Sequence, residues 1–436
     1  MLHTNCTNAC NMPQPPLGKY FTHHQPTWLL VPALLGMATG LFAWTHISLG
    51  LLCVYLLVTT PLPVIKKRLW ASPIFWAALL FWLWMLCRTW WDASIETGWA
   101  HVVRSSAWIG VSFCFSLLRT SRKEVTKVVY CFTIALALVS FFSFSLQALK
   151  LLNGSPINLL FYHELLAPFR LHAVFFSVYI LFCLLFWVQP FTRTQTTTAQ
   201  QKMLPFVCAW LAMCVLLLAS KLCITLLLLG AIWFVSKRWR ATAYTKSIGL
   251  VAVALSFMLV MCTPNPIQKR FADVRWNVQQ VWQRNTFTAG DYLDGLSFRL
   301  LQWRWVPQAL NGENAWLYGV GTAQAQAVLN SQYVRAGLYM GTGAAHNLGY
   351  GAFDTHNSFL QVLLEYGLVG LCLFVYYLLL LLRQAFKHTQ SAAVYFLATV
   401  VLFCFTDTLT GTEAGLMVLL LLPQLLVCGR KGTTGH

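Results

Sequence analysis

The stretch His356-Asn357-Ser358-Phe359-Leu360-Gln361-Val362-Leu363-Leu364-Glu365-Tyr366-Gly367-Leu368-Val369-Gly370 joins a long polar segment to an apolar run that extends over about 357–382. The pattern is helical, and the run is long enough to cross a bilayer, which takes about 20 residues. Working outward, eleven further apolar runs emerge, at about 27–44, 46–65, 70–90, 102–118, 127–149, 172–191, 203–219, 222–236, 247–263, 392–410 and 413–428. Ser220-Lys221 divides 203–219 from 222–236, because the two together are too long for one span. Composition agrees. The chain is 58% apolar and 10% charged, where soluble proteins are about 25% charged. Trp28, Trp70, Trp90 and Trp91 stand at the ends of apolar runs, as in an interfacial belt. The expected fold is an all-α polytopic membrane protein with about twelve transmembrane helices and one large, partly helical periplasmic loop before the tenth.

The net charge of +18 is not read as a nucleic-acid surface, because the cations form short clusters between apolar runs. Lys19, Lys66-Lys67-Arg68, Arg119 to Lys127, Arg193 and Lys202, Lys237 to Lys246, Arg383 and Lys387, and Arg430-Lys431 all fall on one face. The opposite short loops carry only Arg88, Arg104, Lys150, Arg170 and Lys221. By the positive-inside rule the first face is cytoplasmic. The expected layout is a cytoplasmic segment 1–26, spans one to nine over 27–263, an outward loop 264–356, spans ten to twelve over 357–428 and a cytoplasmic tail 429–436. Segment 1–26 lacks the apolar core of a signal peptide.

Within the loop, apolar Val274, Val278, Val281 and Trp282 recur at helical steps over 271–287, and 296–310 reads as helix until Pro307. Tyr318 to Gly321 and Gly337 to Gly351 read as irregular, glycine-rich structure. The chain contains neither a dinucleotide fingerprint nor a phosphate-binding P-loop, and its cysteines, Cys6 and Cys10 included, lack metal spacing.

Several residues could carry chemistry. His356, placed at the N-terminus of the tenth helix on a face with Leu360 and Leu363, suits a general base near neutral pH. The ordinary alternative is an interfacial histidine beside a helix cap supplied by Asp354 or Asn357. Glu365 is an acid inside an apolar run, so it faces protein or water, either as a partner for a cation or as a structural acid. Arg299, Trp303 and Arg304 could bind an anionic ligand or a sugar ring, or anchor a surface helix on lipid headgroups. Lys221 and Arg170, with His172, stand at the same outer level as His356. Alone each could merely snorkel; together they could stabilise a diphosphate leaving group.

The run from His356-Asn357 through Glu365 and Gly367-Leu368 to Gly370 resembles the O-antigen ligase-like superfamily. Arg299-x-x-x-Trp303 and Gly319-Val320-Gly321 resemble the superfamily's Arg-x-x-x-Trp and Gly-x-Gly elements. The topology matches over the whole chain and the motifs over about 296–370. One departure is Ser220-Lys221, where the family has Ser-Arg; lysine keeps the charge but loses the bidentate fork. The resemblance implies transfer of a glycan from undecaprenyl diphosphate to the lipid A-core oligosaccharide, outside the inner membrane and without a cofactor. His356 would then be the base. Lys221, Arg299 and Arg170 would hold the diphosphate, with Asn357 and Glu365 orienting the site. A polysaccharide polymerase, a protein O-oligosaccharyltransferase and a lipid-linked glycan transporter are the alternatives. The transporter fits least, since its charges belong near mid-membrane.

Overall fold

The computed structural model describes residues 26–91, 95–238, 247–248, 251, 258, 262–263, 265–272, 278–288, 290–291, 293–342, 349–387 and 391–428. Among these the regular structure is helical, without strands. The helices are α1 (Leu30–Thr39), α2 (Phe42–Thr59), α3 (Leu62–Trp70), α4 (Pro73–Trp90), α5 (Ile95–Ser105), α6 (Ala107–Leu117) and α7 (Arg122–Leu152). Next come α8 (Tyr162–Leu166), α9 (Ala173–Trp187), α10 (Pro190–Gln195), α11 (Thr198–Leu217) and α12 (Lys221–Trp233). The polar segment holds α13 (Pro266–Ala272), α14 (Val278–Gln283), α15 (Gly295–Gly312) and α16 (Thr322–Arg335), followed by α17 (Ser358–Lys387), α18 (Ser391–Thr406) and α19 (Glu413–Cys428).

Among the described residues five helices, α2, α4, α7, α11 and α17, are long and apolar enough to cross a membrane. A sixth span arises if α9 is joined to the segment Tyr162–Phe169, which is bent from it by 87°. Thr27–Thr39, Lys221–Ser236, Ser391–Thr406 and Glu413–Val427 are shorter apolar helices. Most of the ninth run, 247–263, lies outside the described residues, as do Cys6, Cys10 and both terminal segments. Large apolar side chains such as Val58, Leu138, Phe206 and Leu379 remain exposed on the bundle flank, which fits lipid rather than water as the surrounding solvent.

The helix boundaries follow local chemistry. Gly40, at φ +78°, ends α1 inside the expected run 27–44, and Thr45 Oγ1 then donates to Ala33 O at 2.9 Å. The expected run 102–118 is divided at Ser106 into α5 and α6. Ser72 caps α4 ahead of Pro73, and a Ser121–Glu124 capping box starts α7. α9 is buried almost all round, so it forms the axis of the bundle. Trp108 of α6 meets Phe81 of α4 and Tyr377 of α17, each edge-on at 4.8 Å. These edge-to-face contacts weld the three helices.

The polar segment has its own core, in which Leu301, Trp305 and Leu310 of α15 meet Leu329 and Tyr333 of α16 and Leu364 of α17. α15 runs through Pro307 to Gly312, past the expected stop. The expected 271–287 helix contains α14, while residues 273–277 lie outside the described set.

α17 fixes this segment to the bundle. At Gly367 (φ 66°, ψ −167°) the helical conformation is interrupted. The interruption frees the carbonyls of Leu364 and Glu365 and the amides of Leu368 and Val369, which would otherwise pair with each other within the helix. The 316–321 segment satisfies all four. Val320 N donates to Leu364 O (2.8 Å) and Gly321 N to Glu365 O (3.0 Å), while Leu368 N donates to Trp316 O (2.8 Å) and Val369 N to Leu317 O (3.3 Å). A Cβ on Gly367 would fall 2.3 Å from Leu317 O, and one on Gly319 would fall 2.4 Å from the Glu365 carbonyl. The glycines of the two motifs therefore make a backbone interlock, which Arg88 clamps by donating to Tyr318 O and Gly319 O, both at 3.1 Å.

Candidate functional site

His356 lies in the link between the polar segment and α17. It does not share the helical face expected with Leu360 and Leu363. Its φ is +45°, and the helix begins two residues later, at Ser358. The cap is Asn357, whose Oδ1 accepts from Phe359 N (2.9 Å) and Leu360 N (3.1 Å). The left-handed turn swings the imidazole away from the helix axis, at a cost of the order of 1–3 kcal/mol.

Asp354 holds the ring. Its Oδ1 accepts the His356 amide at 2.9 Å. His356 Nδ1 lies 3.1 Å from Asp354 O and 3.3 Å from Asp354 Oδ1. Both neighbours are acceptors, so Nδ1 carries the proton and Nε2 presents a lone pair. The half-buried ring also contacts Phe353. Helices α15 and α16 hold this link in place. Gln302 Nε2 donates to Asp354 O and, at 2.8 Å, to Tyr333 Oη, while Gln326 Nε2 reaches Phe353 O at 3.1 Å. On the α17 side, Thr355 Oγ1 donates to Gln361 Oε1 (2.9 Å), and Gln361 Nε2 donates to Glu365 Oε1 (2.7 Å). Glu365 is thus linked through Gln361 to Thr355, the chain neighbour of His356.

Two further walls face this link. Ser358 Oγ donates to Asp407 O (2.8 Å) and receives Leu409 N (2.9 Å), which pins the α18–α19 connection beside it. Arg299 of α15 donates through Nε to Thr406 O (3.1 Å) and through Nη1 to Gly295 O (2.9 Å). Its guanidinium interacts with the charge of Asp407, with Tyr162 and with Asp354, and burial draws its pKa down. Burial also lifts the Asp407 carboxyl above the ordinary carboxylate range, opposed by the charge of His356 and by the Thr408 amide, which donates to Asp407 Oδ1 at 2.9 Å. A Cβ on Gly411 would sit 3.9 Å from Asp354 Oδ2, and Arg104 Nη1 holds Gly411 O at 2.9 Å.

The third wall is the bend 161–172. Tyr162 and His163 are in ring contact (3.9 Å between centroids), His163 meets His172 (4.4 Å), and His172 lies near enough to His356 for their charges to interact. The His172 side chain is exposed to solvent.

The expected residues are therefore partly brought together. His356 and Arg299 share the cleft. Arg170, exposed and at φ +53°, lies in the same bend as Tyr162 and His172. Lys221 opens α12; Cys223, two residues on, lies with Sγ 4.0 Å from Val174 O, two residues after His172, so Lys221 belongs to this end. Of the five non-glycine residues with positive φ among the described residues, four belong here: Tyr162, Arg170, Ala219 (ahead of Ser220-Lys221) and His356. Arg304 is five residues beyond Arg299, about 140° around the helix. It turns instead to the carbonyls of Trp282 and Arg284, the latter at 2.7 Å. Trp303 packs at 6.4 Å against Phe405 of α18.

Sequence reasoning passed over Asp407, Tyr162, His163 and the role of Asp354 in holding the ring. An ionisable residue inside an apolar run is a functional candidate by default, and that rule would have singled out Asp407 within 392–410. Nothing local marks Tyr162 or His163. Among the described residues, no three His, Cys, Asp or Glu side chains are grouped to hold a metal ion. No protein-family model matches the chain, and no curated protein matches it.

Proposed function

We propose that the protein is a glycosyltransferase of the O-antigen ligase type. It would take a glycan from undecaprenyl diphosphate and pass it to the lipid A-core oligosaccharide on the periplasmic side of the bacterial inner membrane. In this reading the chain spans the membrane twelve times, with both termini cytoplasmic. The observation that carries the proposal is the His356–Asp354 pair, with Nδ1 engaged and Nε2 available, beside Arg299 at the end of the bundle that also holds Lys221 and Arg170.

His356 Nε2 takes the proton of the acceptor hydroxyl as that oxygen bonds to the anomeric carbon. The bond from the anomeric carbon to the diphosphate oxygen breaks, and the lipid diphosphate leaves with the electron pair. Asp354 stabilises the imidazolium formed, a contribution of the kind worth about 10²–10⁴ in rate for a positioned base. Arg299 and Lys221 offset the charge gathered on the leaving group, with Arg170 at the rim. Asn357 and Glu365 hold the His356 link without touching substrate.

Deleting the gene in its host and separating lipopolysaccharide on a gel tests this reading. Lipid A-core devoid of glycan, with polymer accumulating on the lipid carrier, is the expected result. Core bearing a single repeat unit assigns the chain to polymerisation instead, and an unchanged ladder overturns both.

A further inference from the structure

Arg270, on α13, plays no part in the chemistry above. Its guanidinium carbon lies 3.5 Å from the centroid of the Tyr162 ring, close enough for flat stacking. Its Nε is buried and has no hydrogen-bond partner, and among the described residues no Asp or Glu lies within ion-pair distance of it. A buried guanidinium N–H without an acceptor is costly unless one completes it, and an anion can do so.

The surroundings point to the same ligand chemistry. Tyr162, held at φ +55°, is flanked by two guanidiniums, since Arg299 also feels its phenol. His163 packs against the Tyr162 ring, and its Nδ1 accepts from Ala173 N at 3.4 Å. Its proton therefore sits on Nε2, which makes it a neutral donor on the same wall. The nearby carboxylate is that of Glu164, which is exposed and interacts with the charge of His163.

We propose that Arg270, stacked on Tyr162 and accompanied by His163, forms a phosphate-binding subsite beside Arg299, across the cleft from His356. Resting on the transfer reading, this subsite takes the phosphate of the lipid-linked donor that lies farther from the sugar, and Arg299 the nearer one. A bilayer phospholipid headgroup presents the same oxyanion chemistry, so the test separates the two sources.

The experiment measures binding of inorganic diphosphate to the full-length protein in phosphatidylcholine nanodiscs, by tryptophan fluorescence. Arg270→Gln removes the charge while keeping much of the length and planarity. It is expected to weaken binding at least about tenfold, and Arg270→Lys by less, since charge is retained without the planar stack. Tyr162→Leu gives a second route if either Arg270 variant folds poorly, with a loss expected there too. Diphosphate binding unchanged in Arg270→Gln or in Tyr162→Leu overturns the subsite. Competition by added phosphatidylglycerol that vanishes in Arg270→Gln assigns the phosphate to a bilayer headgroup and overturns the donor assignment. Indifference to phosphatidylglycerol supports the donor. His356→Ala is expected to bind diphosphate normally. An active His356→Ala would therefore overturn the transfer mechanism while leaving Arg270-dependent binding standing.

Discussion

The two ends of the helical bundle differ in what they gather. At one end, away from His356, a cavity of about 1360 Å³ lies between α9, α11, α12 and α18, lined by residues such as Leu181, Leu184, Trp187 and Tyr395. Arg193 alone is charged among its described lining residues. At the other end His356 and Asp354, Asp407 and Arg299 come together from two connections and α15, with His172 and Tyr162 opposite. Volume and chemistry are thus separated. Apolar helix packing leaves space wherever large side chains fail to interdigitate, whereas several desolvated charges at one place need mutual support to exist at all. The better candidate for a reactive centre is the end with the costly groups.

That contrast is broken or sharpened by substitution. The largest effect after the base itself belongs to Arg299. Arg299→Ala removes a buried guanidinium from beside His356 and Asp407, so turnover is expected to fall by about two orders of magnitude in a glycan-transfer assay. Retained activity would show that the cleft charges are structural. Lys221→Ala is expected to cost about tenfold and Lys221→Arg little, because charge rather than shape is what the α12 terminus supplies. Normal donor turnover by the alanine variant would remove Lys221 from the site.

Asp407 gives a smaller, pH-dependent effect. Burial raises its pKa in the folded protein, so folding favours the protonated form. Its contribution to stability is complete below the ordinary carboxylate range and is lost as pH rises through the raised value. Asp407→Asn, which cannot ionise, should therefore gain thermal stability relative to wild type as pH is raised from about 4 to 7, and a constant difference would contradict that environment. The smallest effect is expected at the opposite end. Arg193→Ala should leave transfer within about twofold of wild type, and a large loss would mean that the apolar cavity takes part.

Much of this was legible in the sequence, and what was not follows a pattern. The apolar runs and the long polar segment follow from composition and periodicity, and attention to the 356–370 stretch follows from its resemblance to the O-antigen ligase-like motif. The meaning of Gly319, Gly321 and Gly367 did not, because their function is a backbone exchange between segments about fifty residues apart. Arg299 and Arg304 look equivalent in a Trp-interleaved string, and only the helical rotation separates the one that meets Asp407 from the one that ties down Trp282 and Arg284. Tyr162 and His163 stand more than a hundred residues from both Arg270 and His356, in stretches of ordinary composition. Their significance is created by the 87° bend ahead of α9.

The most direct test of the account is transfer of lipid-linked glycan to lipid A-core by purified His356→Ala in nanodiscs, with monodispersity and helical content matched to wild type. Loss of transfer by at least about a hundredfold is the result expected for removal of a positioned general base. Transfer at close to the wild-type rate would contradict the assignment of His356 and, with it, the reading of the cleft as the reactive centre.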